Sequence, residues 1–421
     1  MSRRVEIWGF RGYVVFQRSF IYVAMAIFAL TLGLFAGIFR LMADNGVPDA
    51  LLSQLYGSHS ILMVYGFIAT LIMTERVAGL RVLEVSGPLT LTSTIMAPLT
   101  WLGAVVYTLG EVWGIKPIIP LGVGLMLLGA SAFVATLYML ARFSHMEVPF
   151  LYMVLSVFSL MVGALELGFA QPEHDMGMIM LFLGFPIIFI LGERVELMGF
   201  LTAVSYKKRF VYSVYVLTIA VILFSVSSTI TIRGGVDYVT RALSLLGLLP
   251  IAVIMVSYYT IERETFRKLS TAAQPIQRYV VAHTRTAYMW GVVGSLLMAL
   301  YLVGAPIGGL YDASIHSFAI GFVGTMFLAH GPIIFPTVTG RRLDPILLNK
   351  TPLALLTLST ILRVFGDLVA GTTHSAAATT AVWVSGWIIL IVVLMFLATL
   401  VRATGTHPQV GGNPGDANTA L

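Results

Sequence analysis

The chain has 421 residues, of which 58% are hydrophobic and only 10% charged, with a net charge of +6 and no cysteine. A soluble protein carries roughly a quarter charged residues, so a soluble globular fold is excluded. The missing thiols exclude disulfides, thiolate catalysis, iron–sulfur clusters and covalently attached haem, and any bound metal must be held by His, Met, carboxylate or Tyr.

Apolar runs recur along the whole chain, each long enough to cross a hydrocarbon core of about 30 Å. Their continuous hydrophobicity, without strand alternation, selects helices over a barrel. The expected fold is an all-α integral membrane protein of about twelve transmembrane helices. In chain order the spans fall at 19–42, 57–74, 87–110, 117–141, 147–169, 176–200, 209–230, 239–260, 284–307, 313–337, 350–371 and 376–401. Pro117 and Pro120 crowd the fourth, and the eighth begins near Arg241. Residues 1–402 form a single polytopic membrane domain, and the Gly-, Pro- and Asn-rich residues 403–421 are expected to be a disordered tail. The segment Met1 to Arg18 is basic and has no small-residue cleavage site before the first span.

With the N-terminus inside, 20 Lys and Arg residues fall on the cytoplasmic side and four (Arg40, Lys116, Arg233 and Arg241) outside, while Arg363 lies within a span. This bias places both termini in the cytoplasm of a prokaryotic cell, with the chain in its inner membrane. The bilayer is the expected partner of the surface. The basic residues report orientation and not nucleic-acid binding. No phosphate-binding GxxxxGK[ST] loop and no HExxH motif occurs, which argues against ATP-driven transport and zinc proteolysis.

An internal repeat runs through the pattern. The second span carries Gly66-Phe67 and then Glu75-Arg76-Val77; the sixth carries Gly184-Phe185 and then Glu193-Arg194-Val195 at the same spacing. The tenth gives a fainter echo, Gly321-Phe322 with His330 at the glutamate position. A period of four helices implies a pseudo-threefold arrangement of four-helix units. The Glu-Arg pairs end their helices at the cytoplasmic surface, where local salt bridges are expected.

Topology sorts the histidines. His59 and His316 open the second and tenth spans from outside, and His174 and His374 precede the sixth and twelfth, also outside. His330 lies about 21 Å deeper than His316, at 1.5 Å per residue. A neutral imidazole is the common ligand of haem iron, copper or zinc. Two imidazoles at equal depth on facing helices can sandwich a haem. Each of His59 and His316 is followed by Ser and then a Gly-Phe, and glycine admits a flat cofactor. His174 sits between Glu173 and Asp175 with Glu166 nearby; such carboxylates suit a harder metal or a proton relay, and a solvated loop is the plainer expectation. His330 precedes Gly331-Pro332, where a helix break is expected to free a carbonyl. Arg363 and Asp367 share one helix face, as an ion pair or with Arg363 anchoring a haem propionate or anionic substrate.

His316-Ser-Phe-Ala-Ile-Gly321-Phe-Val-Gly324, followed by Thr339-Gly340-Arg341, resembles the NnrS family of bacterial membrane proteins. Gly192-Glu193-Arg194-Val195 is similar to that family's Gly-Gly-Arg-Val, and His59 stands where the family carries histidine. The resemblance implies a haem- and copper-containing membrane protein linked to nitric oxide stress and denitrification. Val338 replaces the family's usual His before Thr-Gly-Arg, Glu193 replaces a Gly, and His330 is additional. A more distant likeness is to the catalytic subunit of haem–copper oxidases, whose second and tenth helices hold a low-spin haem through histidines that His59 and His316 resemble. The His-His and His-x-His motifs that complete an oxygen-reducing centre there are absent here.

The expected function is a membrane redox protein binding non-covalent b-type haem. His59 and His316 are axial ligands, Arg363 balances the propionates, and His330, His174 and His374 are further metal candidates, copper among the metals. A quinol or a periplasmic protein is the expected electron donor. Two alternatives stand beside it: a secondary transporter with a midplane site at Arg363 and Asp367, and a non-catalytic subunit of a respiratory complex.

Overall fold

The computed structural model describes residues 21–39, 55, 57–80, 88–144, 147–170, 175–201, 207–235, 237–270, 275–339 and 349–403. The regular structure among them is helical. In chain order the long helices are α1 (Ile21–Phe39), α2 (59–80), α3 (Pro88–Val112), α4 (Ile119–Ser144), α5 (Glu147–Leu167), α6 (Met176–Leu201), α7 (Lys207–Ile232), α8 (Asp237–Ser270), α9 (Pro275–Leu302), α10 (310–339), α11 (Thr351–Thr373) and α12 (Ala376–Ala403). His145, His174, His407, Glu173, residues 340–348 and the segment from 404 onward lie outside the described residues.

Ten helices among the described residues are long and apolar enough to cross a membrane. The two long helices outside that set are α2 and α9. Polar residues lower their hydropathy: His59, Glu75 and Arg76 at the ends of α2, and Arg278, His283 and Arg285 in the first half of α9.

Consecutive helices pack on one another from α3 to α12. Small residues set the closest approaches. A Cβ on Gly103 would lie 2.6 Å from the Met126 backbone nitrogen, and one on Gly122 would lie 2.7 Å from that of Tyr107. The α3 and α4 backbones therefore meet with no side chain between them, as helices do where van der Waals contact drives association in lipid.

Helix α6 is the centre of the bundle, with 94% of its spanning window buried, against 17% for α12. Its run from Met178 to Leu191 has no polar face, as expected of a helix enclosed on all sides. The outer surface displays Tyr215, Ile219, Ile222, Val253, Ile391 and Leu394. An apolar surface this extensive suits lipid and not water.

The proline positions resolve simply. Pro117 sits in a short 3₁₀ turn, Lys116–Ile118, that leads into α4. Arg241 lies one turn inside α8 and pairs with Asp237 at 2.7 Å. Helices α6 and α10 continue through Pro186 and Pro332, so the expected break at Gly331-Pro332 does not occur.

The three helices of the repeat, α2, α6 and α10, touch one another. Phe67 of α2 meets Phe327 of α10 with ring centroids 5.5 Å apart. Both α2 and α10 contain π-helix, Leu62–Ala69 and Ser317–Gly324. Eight-residue π stretches are uncommon, and such widened turns occur often at functional sites. Each lies just below its histidine.

Candidate functional site

His59 opens α2, and its Nδ1 lies 2.7 Å from the carbonyl oxygen of Gly33 in α1. A carbonyl only accepts, so Nδ1 carries the proton and the lone pair sits on Nε2. His316 repeats this arrangement, with Nδ1 2.7 Å from the Asp312 carbonyl one turn back in α10. Metal-ligating histidines characteristically donate their second ring N–H in this way, which fixes tautomer and ring orientation.

Gly37 makes room for the first ring. A Cβ there would stand 2.9 Å from Cε1 of His59. Beside the second ring, Asp367 of α11 places Oδ2 3.8 Å from His316 Nδ1 and accepts a hydrogen bond from Arg363 Nε at 3.0 Å. The Arg363 and Asp367 side chains are 11% and 7% exposed, so the pair is held out of bulk solvent with its charges matched.

His59, His316 and Arg363 line one cavity of about 370 Å³. That volume lies within the usual range for ligand pockets, about 300–1,000 Å³. Its walls come from α1, α2, α6, α10, α11 and α12 and are mostly apolar, including Met63, Phe67, Ile68, Phe182, Ile320 and Phe327. The cavity extends inward along α2 to Thr74 and Glu75.

The remaining metal candidates lie elsewhere. His330 is not among the cavity-lining residues; its Nδ1 is 2.8 Å from the Met326 carbonyl, and it lies within electrostatic reach of Arg76, Glu193 and Arg194. His374 is exposed at the end of α11 in a left-handed conformation, φ 53°. His174 lies outside the described residues. Among those described, no group of three or more His, Asp or Glu is placed to hold a metal ion.

Asp175, next to His174, is not in a solvated loop, and Glu166 lies at the end of α5 as expected. Asp175 is 3% exposed, accepts hydrogen bonds from the Ser228 hydroxyl at 2.7 Å and the Met178 N–H at 3.0 Å, and caps α6. Glu166 is 7% exposed.

The Glu-Arg pairs are not locally bridged either. Arg76 of α2 reaches across to Glu193 at 2.9 Å and Glu196 at 3.0 Å, both in α6, and its guanidinium covers the Phe189 ring. Arg194 turns to α8, where its Nε donates to Glu262 at 3.0 Å. The Tyr288 hydroxyl donates to the same carboxylate at 3.1 Å. Sequence reasoning missed Glu262 and Tyr288, because only the packing of α6, α8 and α9 brings them to Arg194.

The fold is that of a helical protein with ten helices, among the described residues, long and apolar enough to cross a membrane, and two imidazoles line one chamber within it. The chain belongs to the family described as a domain of unknown function, DUF8744, whose model matches residues 18–404. No curated protein matches the chain.

Proposed function

We propose that the cavity holds a haem through His59 and His316, and that the protein is a redox component of the prokaryotic cytoplasmic membrane, similar to NnrS. The observation that carries this reading is the shared state of the two imidazoles. Both have Nδ1 within hydrogen-bond distance of a carbonyl, and both line one chamber with Arg363 at its wall.

The donor set fits haem. Two neutral nitrogens suit the axial positions of iron, the apolar walls exclude water, and the Arg363 guanidinium suits a propionate. When bound, haem supplies reversible one-electron transfer. The chain's own residues orient the ligands through Gly33 and Asp312 and balance charge through Arg363 and Asp367. Copper as a second metal follows from the NnrS resemblance, and nitric oxide or respiratory electron transfer is the proposed setting. Helices α6 and α10 run unbroken through Pro186 and Pro332. The interrupted helices expected of a midplane transport site are thus not found there, which favours the redox reading.

We further propose that α2 and α9 also cross the membrane, giving twelve spans with both termini cytoplasmic. The mutual packing of α2, α6 and α10 supports a pseudo-threefold arrangement of four-helix units. A reduced-minus-oxidised absorption spectrum of the purified protein tests the function. Haem bands are expected, and they should be lost or altered in His59→Ala and in His316→Ala. A colourless protein, or bands indifferent to both substitutions, overturns the reading.

A further inference from the structure

We propose that Glu166, Asp175, Ser225 and Ser228 form a binding site for a hard divalent cation of the calcium type, which joins α5, α6 and α7 at the end of the bundle that carries His59. None of the four residues lines the chamber, and binding here does not depend on the haem reading.

The local sequence builds the site from three helices. Asp175 precedes the first turn of α6, and Gly177 lets α7 close on that turn. A Cβ on Gly177 would stand 2.5 Å from the Ser228 backbone nitrogen. Ser228 is thereby held against Asp175, to which its hydroxyl donates at 2.7 Å. Ser225 precedes Ser228 by three residues and so shares its helix face. Glu166 comes from the last turn of α5. Helices α2 and α6 run parallel, because Tyr65 meets Phe182 at one level and Arg76 meets Glu193 further along both. The start of α6 therefore lies at the His59 end of the bundle.

Glu166 is the group that points to a ligand. It is 7% exposed, and both of its carboxylate oxygens are buried without a hydrogen-bond partner among the described residues. The Ser225 and Ser228 hydroxyls lie near enough to act on its charge, yet neither closes a hydrogen bond of normal geometry. Hydrogen-bonded oxygens approach to about 2.5–3.0 Å, whereas oxygens that share a cation at about 2.3–2.6 Å stand farther apart. Among the described residues, the charge acting on Glu166 is a second negative one, Asp175, itself 3% exposed. Two neighbouring buried carboxylates cost free energy unless a cation offsets them. One dication offsets both, whereas a monovalent ion leaves one negative charge buried. All the donors are oxygen, which selects a hard cation over a transition metal. The carboxylates and hydroxyls together offer the oxygens that calcium takes, and the Asp175 oxygens keep lone pairs beside their bonds to Ser228 and Met178. Magnesium demands a near-ideal octahedron and keeps several waters, which a set fixed by three packed helices does not favour.

Titration calorimetry and thermal unfolding of the full chain in detergent, freed of metal by a chelator that is then removed, test the proposal with calcium, magnesium and sodium chlorides. Calcium is expected to bind with a Kd of roughly 0.1–1 mM, the range of extracellular oxygen-ligand sites, and to raise the unfolding temperature saturably. Magnesium and sodium should each bind at least roughly tenfold more weakly. Glu166→Gln keeps the shape and removes one charge, so it should raise the calcium Kd at least about tenfold. Without calcium it should unfold no earlier than the native protein, because the repulsion from Asp175 is gone. A purely structural carboxylate would instead lose stability in the metal-free protein when replaced. Ser225→Ala should raise the Kd about threefold and gives a second reading if Glu166→Gln does not fold. No heat and no stabilisation with calcium, or magnesium or sodium binding as tightly, overturns the assignment. An unchanged Kd in both variants means an adventitious ion only and overturns it too. The absorption spectrum of Glu166→Gln should match that of the native protein, so loss of this site and loss of the haem are read separately.

Discussion

Asp367 holds its Oδ2 3.8 Å from Nδ1 of His316, across the gap between α11 and α10. The same oxygen accepts the Arg363 Nε hydrogen bond at 3.0 Å. One buried carboxylate thus faces both the imidazole and the guanidinium at one end of the chamber. Carboxylates placed behind a ligating histidine raise its basicity and favour the more highly charged metal state.

The charge of Asp367 should therefore set the redox potential of a haem bound there. Asp367→Asn removes a negative charge that stabilises the ferric form and leaves Arg363 uncompensated. Both changes favour the reduced state, so the midpoint potential should rise by roughly 30–60 mV, since 59 mV is a tenfold change for a one-electron couple. Spectroelectrochemical titration reads the shift. A potential that stays put or falls would show that Asp367 does not act on His316.

Gly37 should be intolerant of even one added methyl group. Its Cβ would stand 2.9 Å from His59 Cε1 and 3.0 Å from Nδ1, the atom bonded to Gly33. Gly37→Ala should push the ring off that carbonyl and lower haem occupancy by roughly tenfold, within the range seen when a partner behind a metal ligand is lost. Gly124, in α4, is the matched control, because a Cβ there meets nothing within 4 Å. Gly124→Ala should leave occupancy unchanged and stabilise the helix by about 0.4–1 kcal/mol. Equal occupancy in the two variants, measured by pigment-to-protein ratio, removes Gly37 from the site.

Arg194 and Glu262 have side chains 6% and 1% exposed and join α6 to α8. Removing one partner of such a pair strands a buried charge, which costs about 3–5 kcal/mol. Arg194→Met should therefore destabilise strongly, because among the described residues only the Tyr288 hydroxyl then remains on Glu262. The double variant Arg194→Met, Glu262→Leu should recover most of the loss. Thermal unfolding in detergent distinguishes the cases. A double variant as unstable as the single one would mean that the pair contributes net attraction and is not merely mutually satisfied.

The ten helices that are long and apolar enough to span were legible because a lipid-facing helix must be apolar along its length. The polar ends of α2 and α9 hide them from that criterion, although His59 and Glu75 at the α2 ends line the cavity. The repeat correctly drew attention to Glu75-Arg76 and Glu193-Arg194, yet their partners were not readable. Whether Arg76 bridges within its own helix or across to Glu193 depends on how α2 and α6 rotate against each other, and that is decided by packing around Phe189. That His59 and His316 stand near the starts of α2 and α10 is legible from counting residues. The Gly33 and Asp312 carbonyls behind them are not, because backbone acceptors leave no trace in residue identity. Nor are the π-helices of α2 and α10. The polar run Glu173-His174-Asp175 reads as loop surface, whereas Asp175 is buried against Ser228, more than fifty residues away.

Orientation can be tested cleanly because the chain has no native cysteine. Lys116, in the turn before α4, and Lys208, in the first turn of α7, are both exposed. The excess of Lys and Arg assigns them to opposite sides, Lys116 outside and Lys208 in the cytoplasm. Lys116→Cys in intact cells should react with a membrane-impermeant maleimide, while Lys208→Cys should react only after the membrane is opened. Neither substitution touches the chamber, so both proteins should retain the native absorption spectrum. Labelling of Lys208→Cys in sealed cells, with Lys116→Cys protected, would invert the topology and move the two imidazoles to the cytoplasmic side, where a periplasmic electron donor could not reach them.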